Sequence, residues 1–320
     1  MASPKLKIVE KRVSALEQLV ADYLAHQRGR GLSSRSTALT ANVLEHRWLP
    51  WCAKAEITAP EQLEQRVLDR WSAYLLEDHR TPAGKPLARE SVRTYLRTLG
   101  TFIRWAQSED AVGAKVKARQ PLAEHRLVET LSREEIQLME DEASSVRDKL
   151  MIRVLADTGI RLGELLGLRA ADLQEHGRDR FIKVRGKGAR ERLVPLQPSL
   201  FMRLRKYAER GRAASPRDRI FVTTKRSPKT GEYEPLAPRS VQNMIKFTAR
   251  DAGIERAVHP HLFRHSFATW ALRKGMNPVQ LQRILGHADL SMISSVYSHL
   301  TPSDAYSAML ELVRAENGDA

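Results

Sequence analysis

Between Arg89 and Ala106 the apolar residues return with the period of an α-helix, and this stretch constrains the fold more than any other. Val92, Tyr95, Leu96, Leu99, Phe102, Ile103 and Ala106 fall on one broad face, because residues three and four apart stack on the same side of a helix. A stripe of that width is a core face and has to be covered by other elements. The segments before it read as helices too. A first apolar periodicity begins near Leu16 and runs through Val20, Tyr23 and Leu24. After the interruption RGRGLSSRS a second continues to about Trp51, and a third occupies about Glu61 to Glu77. TPAGKP reads as a turn. Trp51 and Trp105 are expected to pack rather than to offer stacking platforms.

A neighbouring arc of the same helix carries Arg89, Arg93, Arg97 and Arg104. Like charges at this spacing repel unless something anionic faces them, and DNA phosphates suit arginine donors. A solvated helix face is the plainer alternative. The whole chain has 53 basic and 38 acidic side chains, a formal charge of +15, which favours an anionic partner: nucleic acid first, a membrane surface second. Residues 1–130 hold 21 basic and 15 acidic side chains, and residues 131–320 hold 32 and 23, so both halves are basic.

Cys52 is the only cysteine, which rules out an intrachain disulfide and a cysteine-rich zinc site. No apolar run is long enough to span a bilayer, and the amino terminus lacks a signal-like apolar core. A soluble intracellular protein is expected.

From about Val112 to Thr130 the chain is polar, basic and broken by Pro121, so it reads as a linker. Ser132 and Glu135 then form a capping-box pattern for a new helix. The second half is mixed. A helix over about Val146 to Ala156 breaks at Thr158-Gly159, and a short one follows over Leu162 to Leu168. FIKVRGKGARERLVPL carries a β-hairpin signal. Helices return from Ser240 and from Leu262; Gly275 ends the latter, and Asn277-Pro278 starts another.

Four clusters bear chemistry. Arg161 in TGIRLGE lies within a leucine-rich run, with Glu164 three residues on as a partner; a purely structural ion pair is the alternative. Lys187 stands between two glycines at the hairpin tip, mobile enough to reach a site, though an ordinary turn lysine looks the same. In HPHLFRHSFATW, His261 and Arg264 are three apart at a helix start, a spacing that suits phosphoryl oxygens. His259, His261 and His265 lack the carboxylate that a metal site would add. Finally, His287 follows a glycine in LGHADLSMISSVYSHL, and Tyr297 lies ten residues later; taken alone, that tyrosine reads as a packing residue.

Taken together and in order, TGIRLGELLGL, VRGKGARERLVPL, HPHLFRHSFAT, LQRILGH and SVYSHL resemble the tyrosine recombinase, or phage integrase, family, in its Xer-like site-specific branch. The match covers most of residues 131–300, and LARESVRTYLRTLGTFIRWA resembles the family's helical DNA-clamping domain. The resemblance implies a mainly α fold with a small antiparallel β-sheet in the carboxy-terminal catalytic domain. It divides the chain into a helical core-DNA-binding domain over 1–115, a linker over 116–130, and a catalytic domain with a tail helix over 131–320. It makes Arg161, Lys187, His261, Arg264 and His287 catalytic, Glu164 the support of Arg161, and Tyr297 the nucleophile. The His287–Tyr297 interval is one residue longer than the family's usual spacing, and the intervening loop must absorb it.

The implied reaction is attack by the Tyr297 phenolic oxygen on a phosphodiester. It gives a 3′-phosphotyrosyl link and a free 5′-hydroxyl, with no metal or nucleotide cofactor. The implied partner is double-stranded DNA, bound by a homotetramer or heterotetramer on paired sites, for integration, excision, resolution or transposition of a DNA element. An apolar stripe over about Ser303 to Glu316 is the expected tail helix, docking on its own domain or on the next subunit. Two other readings share part of this evidence: type IB topoisomerase-like cutting and resealing without strand exchange, and a catalytically silent DNA-binding accessory protein.

Overall fold

In the computed structural model the described residues are 13–122, 129–186, 190–210 and 218–286. The chain divides into two units, residues 1–125 and 126–320. The fold is mainly helical, with a small antiparallel sheet in the second unit.

The first unit consists of α1 (Ala15–Gly29), α2 (Ser34–Val43), α3 (Leu49–Lys54), α4 (Gln65–Glu77) and α5 (Arg89–Ser108). Ser14 caps α1 and closes a reciprocal capping box with Glu17. A single π-helical turn, Leu44–Trp48, joins α2 to α3. It stands just ahead of Pro50, which has no N–H to continue the ordinary ladder. Of the α5 stripe, Val92, Leu96, Leu99, Phe102, Ile103 and Ala106 are buried. Trp48 and Trp71 meet edge to face at 5.2 Å, and Trp51 stacks on Trp48 at 5.4 Å. Burying each such side chain contributes about 1.5–3 kcal/mol. The polar stretch after α5 is not wholly free of this core: Val112 and Val116 are buried in it, and Gln107 Nε2 donates to the carbonyls of Gly113 and Val116.

The second unit contains α6 (Arg133–Glu142), α7 (Val146–Thr158), α8 (Leu162–Gly167), β1 (Leu173–His176), β2 (Asp179–Arg185), β3 (Glu191–Pro195) and α9 (Pro198–Arg210). After these come β4 (Val222–Arg226), β5 (Tyr233–Pro235), α10 (Pro238–Asp251), α11 (Pro260–Arg273) and α12 (Pro278–Leu285). Strands β1, β2 and β3 form one antiparallel sheet in that order, and β4 pairs with β5. The expected hairpin is β2–β3, with Ile182 opposite Val194 and Val184 opposite Arg192. Paired residues share a face of the sheet, so Arg192 stands on the face that buries Ile182, Val184 and Val194.

Helix α11 has a core on each side. Leu262 and Phe263 belong to the main cluster of this unit, whereas Phe267, Ala268 and Ala271 pack with Leu281 and Leu285 of α12. The Ser266 hydroxyl ties the start of the unit to this helix: it accepts from the Leu131 N–H at 2.7 Å and donates to the Leu262 carbonyl. Arg256 donates to the Thr130 carbonyl at 3.0 Å and to Glu135. Ser132 and Glu135 form the expected capping box. No helix among the described residues is long and apolar enough to cross a membrane.

Candidate active site

Arg161 is positioned by how α7 ends. Gly159 takes a left-handed conformation, φ 61°, and caps that helix by donating to the Leu155 carbonyl. A β-carbon there would lie 2.7 Å from Phe267 Cδ1 and 2.9 Å from Leu285 Cδ2, so both torsion and space require glycine. Two residues later Arg161 opens α8, and its N–H donates to Glu164 Oε2 at 2.9 Å. Its guanidinium Nη1 lies 3.1 Å from Glu164 Oε1. The expected Arg161–Glu164 pair is therefore formed.

A second guanidinium completes the arrangement. Arg192 Nη1 and Nη2 donate to the two oxygens of Glu164 at 2.8 and 2.9 Å, and its Nε donates to the Ile284 carbonyl at 2.6 Å. Burial pushes the Glu164 carboxyl up. The bonds from Arg192 and the Arg161 N–H, with the charge of both guanidiniums, outweigh this and hold it below the usual carboxylate range. Arg192 was not among the residues expected from sequence. The available signal was parity: it stands two positions before buried Val194 in a strand, hence on the same face.

Arg264 is buried on α11 and donates to the carbonyls of Gly159 at 2.5 Å and Leu285 at 2.6 Å. It thus joins the α7–α8 turn to the end of α12. Gly286, which follows Leu285, has φ 95°. A β-carbon on it would touch Arg192 Nη1 at 3.5 Å and Arg161 Nη1 at 3.6 Å. Arg161, Arg192 and Arg264 therefore gather around one short segment, Ile284–Gly286, the last described residues of the chain.

His261 and Arg264 do not share an environment. His261 is exposed in the first turn of α11, whereas Arg264 is inside. The three histidines of this region also go separate ways. His259 is the N-cap, its Nδ1 accepting from the Leu262 N–H at 3.2 Å, His261 is exposed and His265 is half-buried. Lys187, His287, Tyr297 and the tail helix lie outside the described residues. In the first unit Arg89, Arg97 and Arg104 are exposed along α5, and Arg93 is half-buried, 3.9 Å from Glu90.

Burial, reinforced by the charge of neighbouring His261, holds the His259 imidazole below its usual value. Accepting the cap hydrogen bond requires a neutral ring. Above about pH 6.5 the ring is neutral folded or unfolded, and the cap contributes fully. As pH falls from there through the depressed folded-state value, the unfolded chain binds the proton first and that contribution is lost. His259→Asn keeps a capping oxygen but not the titration. Thermal melts between about pH 5 and about pH 8 are expected to show a shallower pH dependence for this variant than for the unsubstituted protein.

Residues 126–304 match the model of the phage integrase family. Over 280 residues the chain is 30% identical to tyrosine recombinase XerC 2 of Ralstonia nicotianae, covering 84% of this chain and 78% of that protein. It is 28% identical over 258 residues to tyrosine recombinase XerD of Listeria monocytogenes, covering 77% and 81%. Among solved structures, the fold is similar to the Tn1549 transposon integrase in complex with transposon right end DNA: TM-score 0.68, 18% identity, 94% and 99% of the two chains. It is also similar to the XerH site-specific recombinase in its post-cleavage complex: TM-score 0.65, 18% identity, 94% and 97%.

Proposed function

The chain belongs to the phage integrase family, whose tyrosine recombinases cleave and rejoin DNA strands, and we propose that Tyr297 is its nucleophile. The observation that carries this reading is the gathering of Arg161 and Arg264 at Leu285–Gly286, immediately ahead of His287. Two guanidiniums at that point suit a phosphodiester whose equatorial oxygens gain charge as it is attacked.

The proposed step is an in-line displacement. The phenolic oxygen of Tyr297 forms a bond to phosphorus, and the bond to the 5′-oxygen breaks. His261 and His287 hydrogen-bond the phosphoryl group and take up the phenolic proton, while Lys187 protonates the leaving 5′-oxygen as general acid. The products are a 3′-phosphotyrosyl ester and a free 5′-hydroxyl. A 5′-hydroxyl from a partner strand reverses the step on new DNA. The exposed arginines of α5 hold the duplex by its phosphates. The assembly is a tetramer on paired sites, and the tail helix packs against the next subunit. The outcome is site-specific recombination: integration, excision, resolution or transposition of an element.

A nicked suicide substrate tests the nucleophile. A covalent protein–DNA complex that survives denaturation is expected, and Tyr297→Phe is expected to reduce it below detection. Persistence of the complex in that variant sinks the assignment. Two differently labelled cognate sites in the same reaction should give joined products. Resealed parental DNA alone would mark a cutting-and-resealing enzyme instead.

A further inference from the structure

We propose that Arg192 is a positioning residue for strand cleavage. It occupies both oxygens of Glu164, so that this carboxylate does not cancel the charge of Arg161, and it fixes the end of α12. The proposal rests on reading Arg161 as the phosphate-binding arginine.

Glu164 is a buried carboxylate, its side chain only 4% exposed. It stands three residues after Arg161 in the same helix turn, where a full two-pronged pair between them is within reach. Such a pair would turn the planar guanidinium of Arg161 toward the carboxylate and use the donors that a phosphate needs. Arg192 prevents it. Its fork takes one oxygen at 2.8 Å and the other at 2.9 Å. Toward this carboxylate the Arg161 side chain makes one 3.1 Å bond, to an oxygen that already accepts from Arg192. Two guanidiniums and one carboxylate leave a net charge of about +1 in the triad. The Arg161 side chain is the more open of the two, 33% exposed against 14% for Arg192.

The third donor of Arg192 does separate work. Its Nε holds the Ile284 carbonyl at 2.6 Å. Gly286, two residues on, lies against both guanidiniums, so the segment leading to His287 is fixed by the same side chain that engages Glu164. Lysine cannot replace this, because a single ammonium does not span two carboxylate oxygens and a carbonyl.

The test compares Arg192→Gln, Arg192→Lys and the double variant Arg192→Gln/Glu164→Gln with the unsubstituted full chain. Single-turnover formation of the covalent complex on the nicked substrate is followed, with the DNA dissociation constant and the melting temperature alongside. Arg192→Gln is expected to slow cleavage on the order of 100-fold, comparable to losing a transition-state donor, with DNA binding within about threefold. Neutralising Glu164 in the double variant should recover about tenfold or more of that rate, because Arg161 is no longer captured. A merely structural role would make cleavage follow the melting temperature and would give no recovery. Arg192→Lys retains charge without the fork; should the glutamine variant fail to fold, this one decides, with an expected loss of about tenfold. Arg192 variants that melt and cleave like the unsubstituted protein, or a double variant no faster than Arg192→Gln, overturn the proposal. If the unsubstituted protein itself forms no covalent complex, the nucleophile reading falls with it; if it does, only this proposal is lost.

Discussion

Replacing Glu164 with alanine is expected to destabilise the second unit by about 3–5 kcal/mol, the usual cost of removing one partner from a buried ion pair. Three losses coincide. Arg192 keeps its position on the buried face of β3 but loses both acceptors of its fork. Arg161 loses its side-chain bond to this carboxylate. The Arg161 N–H at the start of α8 loses its cap. For a unit of this size the melting temperature should fall on the order of 10 °C. Calorimetry of the full chain checks it: the transition of the second unit should move and that of the first should not. The effect has a pH signature. A carboxyl held below its usual range contributes stability that is complete above about pH 4.3 and is lost as pH falls through its folded-state value. The gap between variant and unsubstituted protein should therefore close in acid. A gap that widens in acid would contradict the ion-triad account.

The second large effect is on chemistry. Arg264→Lys is expected to reduce covalent-complex formation about 10³-fold or more while leaving DNA binding nearly unchanged. The guanidinium bridges the Gly159 and Leu285 carbonyls, and an ammonium at that depth satisfies one of them at best. The freed carbonyl costs about 1–3 kcal/mol, so a modest drop in melting temperature accompanies the kinetic loss. Alanine would free both carbonyls and mix the two effects, so lysine is the more informative change. Cleavage within tenfold of the unsubstituted rate would show that Arg264 only braces the fold.

Local signals in the sequence reached some parts of this molecule and not others. The α5 stripe, the Ser132–Glu135 capping box, the helix break at Thr158-Gly159 and the Asn277-Pro278 helix start all depend on neighbours within a few residues. So does the Arg161–Glu164 pair. Strands β1, β4 and β5 escaped because they are short and mostly exposed, without apolar alternation. Helix α9 carries a readable period in Leu200, Phe201, Leu204 and Ala208. Arg264 shows the other limit. Spacing put it beside His261 on one side of a helix, but spacing does not say how deep that helix sits. Because α11 is covered on two sides, three residues separate an exposed imidazole from a buried guanidinium. Arg192 engages groups 28 and 92 residues away in sequence, contacts that no local window contains.

The bond from Leu131 to Ser266 also sets where the protein can be trimmed. A version of the second unit that starts at Ser132 would keep the capping box of α6. It would discard the N–H that fills the Ser266 hydroxyl and the Thr130 carbonyl that holds Arg256. Both anchors lie before the first helical residue, in a stretch that looks dispensable on a map of helices and strands. An isolated second unit for crystallisation or labelling should begin ahead of Glu129, so that α11 keeps its brace.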